Sequence, residues 1–94
     1  MAELTPTVAD VAVWSDQITP YDERLFLTYA RLLDADAESA DWRDAARIIL
    51  MLDPNENPER ARQCWRSHLD RAKWVATTGY QQLLVKAELR SDRN

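Results

Sequence analysis

The chain has 94 residues, a net charge of −4 and an apolar fraction of 46%, which is one domain with enough apolar side chains for a small core. One cysteine excludes an internal disulfide, and one glycine excludes the glycine-rich phosphate-binding loops. No stretch approaches the roughly 20 apolar residues of a membrane span, and the N-terminus lacks a basic region followed by an apolar run, so the expected location is a reducing cytoplasm.

Residues 1–17 show no sustained period and read as a loosely ordered N-terminal arm. Val8, Val11, Val13 and Trp14 either dock it on the body or form one short helix. Threonine, proline and β-branched residues favour an extended arm pinned by Trp14.

A helix is predicted from Thr19-Pro20-Tyr21-Asp22, an N-cap, a first-turn proline and an early acid, to about Ala35. Leu25, Phe26, Tyr29, Leu32 and Leu33 share its buried face. Leu27 falls among Glu23, Arg31 and Asp34. It is either a lone surface leucine, which is common, or a partner contact.

Residues 34–40 make a short acidic connection. Ser39 or Asp41 caps a helix expected from Asp41 to Leu52, with Trp42, Ala45, Ala46, Ile49, Leu50 and Leu52 on its apolar side. Residues 53–57 then break the chain, because Pro54 disfavours a helical Asp53 and the asparagines tolerate turn geometry. That break is longer than the usual three or four residues of a helix-turn-helix.

The longest helix opens at Asn57-Pro58-Glu59, an N-cap, a first-position proline and an acid on the positive end of the dipole. It is expected to reach about Ala76 and to stop at Gly79 in a left-handed C-cap. Ala61, Cys64, Trp65, His68, Leu69, Ala72, Val75 and Ala76 share one face. Arg60, Arg62, Gln63, Arg66, Asp70, Arg71 and Lys73 lie off it. Trp74 falls near the far side. Either the last helix folds back to cover it, or it is an exposed aromatic anchor of the kind favoured at binding hot spots. A final helix is expected from Tyr80 to about Leu89, with Tyr80, Leu83, Leu84 and Ala87 inward, and residues 91–94 should fray. The whole is an all-α domain over residues 18–90, with four to five helices.

Charge is unevenly spread. Residues 1–41 hold nine acids and two bases, a balance of −7, whereas residues 42–94 hold seven acids and ten bases, a balance of +3. The chain therefore has an acidic half beside a basic half. The bases of the long helix are either a solvated face or a nucleic-acid face in which Arg60, Gln63 and Arg66 approach the groove. Cys64 and His68 stand one helical turn apart, but no motif supplies further metal ligands. Both lie on the apolar stripe, as a buried thiol and a core histidine would. No catalytic constellation, metal, cofactor or small-molecule ligand is expected.

The run from Tyr29 to Leu50 is followed by Asp53-Pro54, Asn57-Pro58-Glu59-Arg60-Ala61-Arg62, Trp65, Ser67-His68-Leu69, Arg71-Ala72-Lys73-Trp74 and Gly79-Tyr80-Gln-Gln-Leu-Leu84. It resembles a proteobacterial domain family, long of unknown function, found in regulators of conjugative-element transfer. The likeness covers residues 19 to 85, and the Gly-Tyr-x-x-Leu-Leu ending is its most specific part. Related sequences often carry glycine in the acidic connector where this chain has Ser39. The resemblance implies a helix-turn-helix variant with an extended turn. In activator members the domain follows a separate N-terminal domain. A lone acidic version is similar to the family's antiactivators, which would occupy that N-terminal domain in trans. The expected partner is then a transcriptional activator of a mobile element. Its contact residues would be Leu27 and Trp74, with Tyr21 and Trp14 weaker, and DNA binding would be weak or absent. The alternative is a DNA-binding regulator using the helix from Pro58.

Overall fold

The computed structural model describes residues 7–82 and residue 84. Capping chemistry starts three of the helices where the sequence places them, at Thr19, Asp41 and Asn57. At the first, the Thr19 hydroxyl accepts from the Asp22 amide and the Asp22 carboxylate accepts from the Thr19 amide, a reciprocal capping box. Helix α1 (Pro20–Arg24) follows, and α2 (Phe26–Ala37) continues it. The single predicted helix is divided at Leu25, whose backbone (φ −103°, ψ 13°) leaves the helical region while its side chain is fully buried.

Helix α2 ends in a Schellman turn. The Ala40 amide donates to the Ala35 carbonyl, the Ser39 amide donates to the Asp36 carbonyl, and Ser39 adopts φ 58°. The serine therefore occupies the left-handed position that glycine ordinarily fills.

Asp41 caps α3 (Trp42–Ile48), its carboxylate accepting from the Arg43 amide. This helix stops four residues short of the predicted Leu52. Met51 turns left-handed at φ 59°, and the Leu52 amide returns to the Ala46 carbonyl. The early stop carries Leu50 into the core and leaves Ile48 and Met51 exposed. A connection over residues 49–57 then leads to α4 (Pro58–Trp74), capped by Asn57 as expected. The long break between α3 and α4 is present.

The C-terminal expectation needs correction. Gly79 is not a left-handed cap, since no described glycine has positive φ. Helix α4 runs instead into a π-helical turn, Val75–Gly79, and residues 80–82 continue helically. The wider turn disturbs the regular ladder, and the Thr77 hydroxyl donates to the Lys73 and Trp74 carbonyls. Glycine at 79 allows a close approach: a Cβ there would lie 2.7 Å from the terminal Ile18 Cδ1, which would have to shift, and 3.0 Å from the Trp74 ring. Tyr80 and Leu84, expected inward, are exposed. The rest of the predicted last helix, including Leu83 and Ala87, and the fraying tail lie outside the described residues.

The core joins Leu25, Tyr29 and Leu32 of the first helical pair to Leu50 and to Cys64, Leu69 and Ala72 of α4. Helix α4 packs on both α2 and α3, and Trp42 and Trp65 meet with ring centroids 6.1 Å apart across the α3–α4 contact. Each fully buried leucine contributes about 1.5–3 kcal/mol. All described regular structure is helical, and no described helix is long and apolar enough to cross a membrane.

Residues 7–19 contain no helix and form an arm. The Ala12 amide donates to Ser67 Oγ, the Cys64 thiol donates to the Ala9 carbonyl, and the Ala9 amide donates to the Tyr21 hydroxyl. These bonds fasten the arm to α1 and α4.

Candidate functional site

The most concentrated polar chemistry lies where the arm, α1 and α4 meet. Arg71 was expected off the core stripe, but it is fully buried. It stands three residues beyond His68 and seven beyond Cys64, so the three share one edge of α4. Its Nε and Nη2 reach the two Asp22 carboxylate oxygens at 2.9 and 2.7 Å. The same guanidinium donates to the Ser15 carbonyl at 2.6 Å and the Gln17 carbonyl at 2.9 Å. Asp22 is also fully buried and accepts from the Tyr29 hydroxyl. Burial raises the Asp22 carboxyl, but the bonds from Arg71, Thr19 and Tyr29 outweigh it and hold the group below its ordinary value of 3.8. Burial and the nearby Asp22 push the Tyr29 hydroxyl far above its ordinary range.

Two indoles bracket this ion pair. The Arg71 guanidinium carbon lies 3.9 Å from the Trp74 ring centroid and 5.0 Å from that of Trp14. The Trp14 and Trp74 centroids are 6.1 Å apart. Trp74 is half-buried, whereas Trp14 remains 58% exposed. Trp74 is thus partly covered, and among the described residues Trp14 of the arm and Gly79 lie against it.

A second network fixes the neighbouring histidine. His68 Nδ1 lies 2.7 Å from the Cys64 carbonyl, which can only accept, so Nδ1 carries the proton. Nε2 therefore accepts from the Tyr21 hydroxyl, also at 2.7 Å. Burial pushes the imidazole below its ordinary 6.5, against the pull of the carbonyl, and it stays neutral. Burial also raises the Tyr21 hydroxyl and pushes the Cys64 thiol up to about 11. Cys64 and His68 are a buried thiol and a core histidine, as read from the stripe. No group of three or more potential metal ligands occurs among the described residues.

Of the four residues singled out as partner contacts, the structure brings Trp14 and Trp74 together. Tyr21 is half-buried, its hydroxyl engaged with Ala9 and His68. Leu27 is half-buried on α2 rather than fully exposed.

Three exposed basic side chains of α4, Arg60, Arg66 and Lys73, carry acidic partners. Arg60 meets Asp10 of the arm at 2.7 Å, Arg66 meets Asp70 at 3.5 Å, and Lys73 meets Asp36 of α2 at 3.5 Å. The Asp10 contact raises the Arg60 guanidinium above its ordinary value. Gln63 and Arg62 are exposed on the same helix.

Two concavities flank the site. One of about 460 Å³ lies between the arm and the start of α4, among Val8, Asp10, Glu56, Arg60 and Cys64. The other, about 230 Å³ and apolar, lies between α2 and the π-helical turn, among Phe26, Leu33, Val75 and Tyr80.

Fold and surface together define a small all-helical domain with a polar, arm-covered face on its longest helix. No protein-family model and no curated protein matches the chain.

Proposed function

We propose that the chain is an antiactivator of the QseM kind. It binds a transcriptional activator of conjugative-element transfer and blocks it by taking the place of the activator's own helix-turn-helix-like domain on its N-terminal domain. The observation that carries this reading is the acidic cover on α4, above all Asp10 on Arg60 at 2.7 Å. Phosphate attraction supplies nearly all non-specific DNA affinity, and each arginine held by a carboxylate supplies less of it. The net charge of −4 acts in the same direction. Protein competition needs no such charge. It needs apolar anchors, and Trp14 on its platform of Arg71 and Trp74 is the best placed, with Leu27 beside it in rank.

The test is a reporter strain carrying the activator and its promoter. Expression of the chain lowers promoter output, and Leu27→Asp or Trp14→Ala restores it while the variant stays folded by circular dichroism. Unchanged output with soluble, folded wild-type chain sinks the reading.

The second reading is direct DNA binding through the helix from Pro58, favoured by exposed Arg62 and Gln63 beside Arg60 and Arg66. Its signature is duplex binding that weakens steeply with added salt.

A further inference from the structure

The seat of the arm reads main chain. Tyr21 and Ser67 accept from the amides of Ala9 and Ala12, Cys64 and Arg71 donate to the carbonyls of Ala9, Ser15 and Gln17, and Gln82 donates to the Asp16 carbonyl while accepting from the Ile18 amide. Any extended peptide offers those groups. Between Asp10 and Trp14, side chains matter at three positions. Asp10 meets Arg60, Ala12 is 7% exposed against Ser67, and Trp14 stacks over Arg71. Val8 packs against the core at the start of the arm, whereas Val11 and Val13 are 47% and 45% exposed. Segments with few buried apolar contacts open most readily.

We propose that this groove is an exchangeable peptide site. At rest the chain's own arm fills it. In trans it takes an extended segment of a partner protein with the pattern acid–x–small–x–aromatic, as in Asp10-Val11-Ala12-Val13-Trp14. The inference does not depend on the antiactivator reading, because the site recognises peptide chemistry whatever the partner regulates. The covalently attached arm competes at a high effective concentration, so a free peptide binds the resting chain weakly. Loosening the arm raises the fraction of open sites, and apparent affinity rises with that fraction.

The probe is a dye-labelled synthetic peptide with the sequence of residues 7–18, titrated against the full-length chain by fluorescence anisotropy. Ala12→Pro removes the amide proton that Ser67 accepts, at a position outside every helix. The variant is expected to bind the peptide about tenfold more tightly than wild type, or better. A probe with alanine in place of its tryptophan should bind no better than a scrambled peptide. Should Ala12→Pro fail to fold, Asp10→Ala carries the same test, since its contact with Arg60 lies at the surface. A folded variant with no gain in peptide affinity would overturn the proposal. So would a variant that dimerises without binding peptide, which would assign the groove to a second copy's arm.

Discussion

Asp22 and Arg71, 49 residues apart in sequence, form a two-point ion pair with no exposure of either side chain. Breaking a buried pair by removing one partner strands the other charge, which costs about 3–5 kcal/mol. Asp22→Ala is therefore expected to lower unfolding free energy by that amount in urea titrations. Arg71→Lys keeps the charge but loses the planar fork that serves Asp22, Ser15 and Gln17 together, so it should be nearly as damaging. A near-neutral Arg71→Lys would show that charge alone suffices.

This pair also marks what the sequence conceals. The apolar rows of α2 and α4 and the caps Thr19, Asp41 and Asn57 were legible, because helical period and capping chemistry are local. Arg71 was not, since a charged residue at the edge of a stripe reads as solvated until its partner is known. Asp22 carried a usable signal: three residues after Thr19 it completes a capping box, which points its carboxylate inward. Gly79 was misread because a left-handed cap and a tight helix contact both call for glycine. The docking of Trp14 on Arg71 and Trp74 needs three separate segments to meet, and periodicity does not encode that.

Stability should fall as acid is added, in two windows. His68 sits below its ordinary 6.5 in the folded chain, so the unfolded chain binds its proton first. Stability is then fully present above 6.5 and declines as pH drops from that value toward the folded pKa. Asp22, held below 3.8, adds a second loss as pH falls beneath that value. Urea titrations across pH should show both slopes, and His68→Gln, though less stable, should lose the first.

Ser39→Gly should stabilise the protein. The left-handed conformation costs a non-glycine residue about 1–2 kcal/mol, and the greater freedom of unfolded glycine offsets roughly 0.5–1 kcal/mol of the gain. A net rise of about 0.5–1 kcal/mol is expected in chemical denaturation, with no gain from Ser39→Ala.

The thiol of Cys64, with its pKa near 11, should react slowly in the native chain. At mildly alkaline pH the thiolate fraction alone makes labelling about two orders of magnitude slower than for an unperturbed cysteine. A disulfide-exchange reagent followed by absorbance checks this. Ala12→Pro, by loosening the arm, should speed it.

Under the proposed function, a protein rather than DNA is what this chain binds. The most direct test of that claim is a pull-down of the tagged full-length chain from a host extract carrying the mobile element, followed by mass spectrometry of what is retained. The expected result is a transcriptional activator, recovered with wild type and lost with folded Trp14→Ala or Leu27→Asp. Recovery of no activator, together with salt-sensitive retention of duplex DNA by the same protein, would contradict it.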